Sequence, residues 1–557
     1  MKKTVHIFII CIASSLFFNS CEDFLDKQPV SSISPEKYWK SEADATAWMA
    51  GIYNQMQYTL QYNWFDWGEY RSDNVKSVGT GTAQTIFLTN QLSSTNQNSA
   101  TSWVQLYSTI SLCNFGLKYF PKMIEQNIDG KASVYEEYVG ECYAMRALMY
   151  FYILRVWGRA PIVTEAVEGL NRPTEFPRAS IKELRQQIID DVQKALLTID
   201  DVSAGNEAKK AYLSKTAVYA LLTDVYAWFQ EYDKVIEASD NVMKNTGINW
   251  IARQADWKTL FTKPYDPSSN ENIFIMFWNS VEFNGGMGYA SRVGSSSNTS
   301  NVGIRSEIYD RLYVRYIPED LSKSDIRFWS CFDTVKYKGF AADPDGYDHG
   351  GVTHANANSI QFGKCVPWDP AIVNSYGNGG FIYEATNVCN TNMPIYRYAD
   401  VMSLRAEALA MTGKYAESLE ILKKIRSRVG YTPTEDADPT NYMAYYDAFP
   451  NKGEKLQEVI VDERQLEFLT EGKRWFDLCR VGKTIFSGTY YDASGNLPYK
   501  IPDAGYYTYL KAKMNGIRSD FTDFEGDNMG RILFPIVSGA FTANSKLKGD
   551  QNPPYDE

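Results

Sequence analysis

The sequence predicts a mainly α chain, a tetratricopeptide-like helical-repeat scaffold carrying a large loop-rich insertion with short strands. Three observations lead there. Residues 136–157 are apolar on every side of a helical wheel, which marks a buried helix. Residues 214–245 and 399–429 share one design: an Ala/Leu-rich helix meets a tight turn, a Tyr follows, and a second amphipathic helix packs back. Between those two units, residues 250–395 lose helical periodicity and become rich in Gly, Asn, Ser, Pro and aromatics. The expected organisation is therefore a signal at 1–20, a tether at 21–40, a first scaffold part at 41–249, an insertion at 250–395 and a second scaffold part at 396–557.

The chain opens with Lys2 and Lys3, an apolar run over residues 5–18, and Asn19-Ser20-Cys21. A basic start followed by an apolar stretch too short to span a bilayer reads as an export signal. A Cys where a small-residue cleavage site would otherwise stand reads as a bacterial lipoprotein site, with Cys21 the lipidated first residue of the mature chain. An ordinary secretory signal with a chance Cys is the alternative. Glu22, Asp23 and Asp26 make the following tether acidic. Several acyl chains on one Cys give stable anchoring where a single chain gives only marginal binding.

In the long apolar helix, Tyr143, Ala144, Ala147, Leu148, Phe151, Tyr152 and Leu154 recur, Gly158 stops the helix and Pro161 blocks its continuation. In the repeat units, small residues such as Ala217, Ala220, Ala406 and Ala408 let paired helices approach, and Tyr232 and Tyr415 fill the corners after each turn. The two turns lie about 180 residues apart, so this is no simple tandem array. Residues 181–199 show further periodicity without a clean repeat. Inside the insertion, Glu271-Asn-Ile-Phe-Ile-Met-Phe-Trp278 reads as one buried strand. A long irregular region in a compact protein usually binds something.

Bulk properties narrow the function. With 56 basic and 67 acidic residues, the net charge of −11 argues against nucleic acid and against polybasic attachment to anionic lipid. Beyond the signal, no apolar run is long enough to span a membrane. The 39 Tyr and 13 Trp suit half-wet surfaces, although most such rings serve a core. Six Cys follow Cys21, none with metal-ligand spacing, and Cys142 and Cys479 sit in apolar helical patterns as buried thiols. His349 and His354 lie beside Asp343-Pro-Asp345-Gly-Tyr-Asp348, a loose likeness to a calcium loop at Asp343, Asp345 and Asp348 whose plainer reading is a Gly/Asp-rich turn. No nucleophile elbow, zincin helix or P-loop is present.

Several segments together resemble the SusD/RagB family of surface nutrient-uptake lipoproteins. Cys21-Glu-Asp-Phe-Leu-Asp26 is similar to the family's lipidated start. Tyr143-Ala-Met-Arg-Ala-Leu-Met-Tyr-Phe-Tyr with Val156-Trp-Gly-Arg-Ala-Pro161 resembles its hallmark helix and loop. Arg397-Tyr-Ala-Asp-Val-Met-Ser-Leu-Arg-Ala-Glu-Ala-Leu409 and Arg426-Ser-Arg-Val-Gly430 match its late repeat. Glu463-Arg-Gln-Leu-Glu-Phe-Leu-Thr-Glu-Gly-Lys-Arg-Trp-Phe-Asp-Leu478 is similar to its C-terminal signature. The ending, Phe534-Pro-Ile with Asn544 and Gln551-Asn-Pro-Pro-Tyr555, echoes its closing segment, with Pro554 where a Gly is commoner.

The resemblance implies an outer-membrane, surface-facing lipoprotein that binds oligo- or polysaccharide without chemistry. It also implies a partner, a TonB-dependent SusC-like transporter over which the protein acts as a hinged lid. A peptide-binding member of the family, a surface glycoside hydrolase with paired carboxylates, and a purely structural lipoprotein are the other readings. Sugar recognition asks for aromatic platforms beside planar polar groups. Trp67, Arg71, Asp73 and Asn74 form one such cluster, with a structural Arg–Asp clasp the equal alternative. Tyr289, Arg292, Trp329, Tyr337 and Trp368 are the candidates in the insertion, while Trp278 and Trp475 belong to the core. Glu463, Arg464, Glu467, Glu471, Arg474 and Asp477, spaced for i,i+3 and i,i+4 contacts, read as a structural ion-pair network, as do Arg397 with Asp400 and Arg405 with Glu407.

Overall fold

The computed structural model describes residues 38–77, 82–96, 99–168, 175–202, 207–262, 270–278, 302–315, 324–333, 361–362, 364, 391–481 and 508–557. Cys21, Tyr289, Arg292, Tyr337, Asp343, Asp345, Asp348 and Trp368 lie outside them.

Helix α1 (Glu42–Gly68) starts at Ser41, whose hydroxyl accepts the Asp44 amide, and acidic residues fill its first turn. It lies on α2 (Val104–Glu125), which pairs with the apolar helix α3 (Ala132–Trp157). From Met145 to Trp157 every residue of α3 is buried, as its all-round apolar pattern requires. Gly158 ends it at φ 73°, a left-handed turn that a side chain would disfavour. The carbonyls orphaned at that end are taken up by the chain's last segment. The Phe534 amide donates to Val156 O at 2.8 Å, and Asn552 Nδ2 donates to Trp157 O at 2.8 Å. Helix α4 (Ile181–Ala195) opens with a Ser180/Glu183 capping box and is tied to α3 by the buried two-pronged pair of Arg146 with Asp191, at 2.8 and 2.7 Å.

The two repeat units appear where expected. The first is α5 (Lys215–Trp228) with α6 (Tyr232–Met243), the second α7 (Tyr398–Met411) with α8 (Tyr415–Ser427). Though far apart in sequence, they stack directly. Ala227 and Val235 of the first pack with Leu404 and Ala408 of the second in one small buried cluster. Helix α9 (Lys452–Glu467) packs back on α7, and α10 (Arg474–Arg480) follows after a tight turn.

Described strands form three antiparallel ladders. Strand β1 (Val75–Ser77) pairs with β3 (Val302–Ile304), β2 (Asn272–Trp278) with β6 (Thr391–Arg397), and β4 (Phe332–Asp333) with β5 (Gln361–Phe362). The long apolar run predicted as a strand is β2, and β6 is buried throughout. Register places Ser77 opposite Val302, Trp278 opposite Thr391 and Asp333 opposite Gln361. The described chain therefore stops at Trp278 and resumes at Thr391 at one end of the β2–β6 ladder.

Candidate functional site

The early aromatic and polar cluster is interior. Trp67 is fully buried and donates its indole N–H to Ala100 O at 2.7 Å. Arg71 is 1% exposed; its guanidinium lies 4.1 Å from the Trp475 ring centroid and donates to Asn90 Oδ1, Ile532 O and Arg531 O. Burial pulls its pKa down to about 10. Asp73 receives Arg474 through two hydrogen bonds of 2.7 Å. Asn74 donates to Glu69 and accepts from Gln465. The expectation that Trp67, Arg71, Asp73 and Asn74 face a ligand is therefore corrected. Apart from the buried Arg71 Nε, their polar groups are engaged by protein, and they wedge the turn after α1 against α9, α10 and the C-terminal segment. A clasp does form, but between Asp73 and Arg474, not within the cluster. Of the insertion candidates, only Trp329 falls in a described element, the helix Ile326–Cys331, and its side chain lies outside the description.

The charged residues predicted to pair along a helix instead pair between elements. Glu463 receives Arg315, Arg327 and Arg426. Glu467 receives Arg327, Arg397 and Arg428, and Glu471 receives Arg397 and Lys364. The partners of Arg397 are Glu271, Glu467 and Glu471, not Asp400. Arg405 meets Asp240, not Glu407, which Arg480 takes at 2.5 Å. Burial would raise Glu463 and Glu467, yet their arginines outweigh it and hold both carboxyls well below the usual range. Asp477 and Asp400 are lowered in the same way, by Arg464 with Arg480 and by Lys473 with Arg464.

This lattice roots the insertion. Arg315 and Asp325, which flank residues 316–323, join Glu463 and Arg327, and Lys364 donates to Glu467 O at 2.7 Å and Leu469 O at 3.1 Å. One face of α9 and the turn after it thus anchor several stems of the loop-rich region. Lys364 and Glu271 carried no sequence signal, because the charged partner of Lys364 lies 107 residues away and those of Glu271 lie 126 and 157 residues away.

Among the described residues, two carboxyls have raised pKa values. Burial pushes Glu69 up to about 8, against hydrogen bonds from Asn74 and the Gly472 amide, and Glu141 up to about 7, against Lys209 and Tyr53. Both side chains are enclosed, Glu69 completely and Glu141 at 3% exposure, so neither meets a solvent-borne substrate.

The described surface carries a groove with a volume of about 690 Å³, inside the range of roughly 300–1,000 Å³ usual for ligand clefts. Its walls are the first turns of α2 (Val104, Tyr107, Ser108, Ser111), the strap at Pro161 and Val163, and Gly539, Ala540 and Ala543 near the C-terminus. Trp67 stands behind it, its ring 5.6 Å from Trp157, which in turn backs Trp103 at 6.0 Å. Among its described lining residues only Tyr107 is ionisable, and burial raises that phenol well above its ordinary value while its hydroxyl donates to Pro161 O at 2.5 Å. Such a groove can bind but offers no acid, base or metal ligand. No group of His, Cys, Asp and Glu that could hold a metal ion occurs among the described residues, and no helix among them is long and apolar enough to cross a membrane.

Comparison with known families matches residues 373–555 to the SusD family and residues 23–227 to a second model described as starch-binding, associating with the outer membrane. The chain is a SusD-like protein. The SusD-like protein P38 of Formosa agariphila is 25% identical to this chain over 99% of both sequences. A SusD superfamily protein of Bacteroides thetaiotaomicron matches the fold with a TM-score of 0.64 at 17% identity, over 93% of this chain and 99% of that one. A laminarin-binding SusD-like protein matches with a TM-score of 0.64 at 20% identity, over 93% and 100%. These likenesses span both helical parts, so the repeat scaffold with its rooted insertion is the family's fold.

Proposed function

We propose that this chain is a non-catalytic, lipid-anchored outer-membrane protein that binds oligo- or polysaccharide at the cell surface. It hands the glycan to a TonB-dependent SusC-like transporter. The observation that carries the reading is the match of both helical parts to family models, one of them described as starch-binding and associating with the outer membrane. The laminarin-binding neighbour supports a glycan as the ligand. The electrostatics support binding without chemistry, since the lattice carboxylates are held ionised by arginines and the two raised carboxyls are enclosed. Tyr289, Arg292, Trp329, Tyr337 and Trp368 would supply the stacking rings and the hydrogen-bonding fork, presented on stems fixed by the lattice.

Titration of the full chain against a panel of polysaccharides tests this. Saturable binding is expected, weakened at least tenfold by alanine at the contributing rings, with the melting temperature unchanged. Capture of peptides with no polysaccharide bound would replace the ligand class, and new reducing ends after incubation would overturn the non-catalytic reading. Co-purification of the transporter with the tagged chain tests the handover.

A further inference from the structure

We infer that the neutral groove beside α2 is the docking site of the chain's own N-terminal segment, residues 28–35. The described chain enters at Tyr38 and Trp39, and Trp39 lies flat on Tyr119 of α2, centroids 5.0 Å apart and planes 9° apart. Phe115 stacks on Tyr119 in turn. Eleven residues before Tyr119, Ser108 occupies the same side of the helix, because eleven residues complete about three turns. The stripe that holds Trp39 therefore runs into the groove, whose wall includes Val104, Ser108 and Ser111. Ser108 is about 17 Å from Tyr119 along the helix at a rise of 1.5 Å per residue. An extended chain at about 3.3 Å per residue covers that distance in about five residues. Leading back from Trp39, it brings Ile33 and Ser34 to Ser108 and Val30 toward Ala540 and Ala543.

The chemistry of the two partners matches. Residues 28–35, Gln-Pro-Val-Ser-Ser-Ile-Ser-Pro, carry no charge, while charged residues flank them on both sides (Asp26 and Lys27, Glu36 and Lys37). The groove likewise holds no charged side chain among its described lining residues. Its small walls of Ser, Gly and Ala leave room for Val30 and Ile33, and Val104, 60% exposed, is the apolar surface they would cover. Beyond the groove, the exposed Lys546 and Lys548 flank the lining residue Leu547, where Glu22, Asp23 and Asp26 would arrive. Docking leaves only residues 22–27 between Cys21 and the body, so the leash is shorter than its sequence suggests.

Hydrogen exchange read by mass spectrometry on the full chain in detergent, without glycan, tests the inference. Amides of residues 28–35 should exchange at least tenfold more slowly than those of residues 22–27, and Ala543→Trp, which fills the groove from an exposed position, should remove that protection. Val30→Asp with Ile33→Asp should do the same while leaving the melting temperature of the body unchanged. Exchange of residues 28–35 at the unstructured rate in the wild-type chain would overturn the docking. Protection that appears only with rising protein concentration would overturn it too, and would assign the groove to a second copy.

Discussion

Arg474 reaches back 401 residues to grip Asp73 with two parallel hydrogen bonds of 2.7 Å, Nε to Oδ1 and NH2 to Oδ2. The pair joins the turn after the first long helix to the C-terminal signature helix, and both side chains are almost wholly buried. Removing one charge strands the other in the interior. Asp73→Asn should therefore lower unfolding free energy by about 3 kcal/mol, measured by denaturant titration, with glycan affinity of the remaining folded protein unchanged. A weakened affinity at unchanged stability would return Asp73 to the ligand surface.

Glu467 concentrates the lattice, taking Arg327 at 3.1 Å, Arg397 at 2.6 Å and Arg428 at 2.5 Å. Glu467→Gln leaves three buried guanidinium groups short of a counter-charge and should cost about 3–5 kcal/mol at neutral pH. The sign with pH follows from the lowered carboxyls. Glu463 and Glu467 bind protons less readily in the folded than in the unfolded chain, so their contribution is full above the unfolded carboxylate range and is lost as pH falls through their folded values. Acid titration of the melting temperature should accordingly show a shallower fall in Glu467→Gln than in the wild-type chain.

Local signals in the sequence located the helices well, because burial on all sides, a glycine stop at Gly158 and the paired turns leave periodic traces in the chain itself. Direct stacking of the two repeat units was less visible, since Ala227 and Leu404 meet across 177 residues of sequence and leave no periodic trace in the chain. Charges at Glu463, Glu467 and Asp477 were legible as a network, but their partners were misassigned. Helical spacing names the nearest opposite charge along one helix, whereas buried arginines choose carboxylates across elements, as Arg397 does with Glu271. The same limit explains the early cluster. Trp67, Arg71, Asp73 and Asn74 have the residue types of a sugar site, and only Arg474 and the Trp475 ring, four hundred residues later, reveal that those side chains face inward.

Gly68 ends the first helix against Gly472, which sits at φ 66°. A Cβ at residue 68 would land on the Gly472 carbonyl group, and backbone atoms cannot rotate away as a side chain could. Gly68→Ala should destabilise by about 1–3 kcal/mol, although alanine is the better helix former. Circular dichroism during thermal unfolding reads the outcome, and an unchanged or raised melting temperature would show that the helix end and the turn can separate.

Glu69 provides the opposite pH dependence to the lattice. Its Oε1 accepts the Gly472 amide at 3.1 Å and its Oε2 accepts Asn74 Nδ2 at 2.8 Å, and burial lifts its pKa to about 8 from an ordinary 4.5. Between those two values the folded chain holds a proton that the unfolded chain has released. The associated stability is thus fully present below about pH 4.5 and is lost as pH rises through about 8. Glutamine at this position is neutral at every pH and has one carbonyl oxygen for two donors, so Glu69→Gln should lose a fixed increment of stability through the weaker hydrogen bonding. It should also lose the downward slope that Glu69 imposes between pH 5 and 8. Denaturant titrations of both chains across that range decide the matter, because parallel curves would mean that Glu69 stays ionised inside the fold.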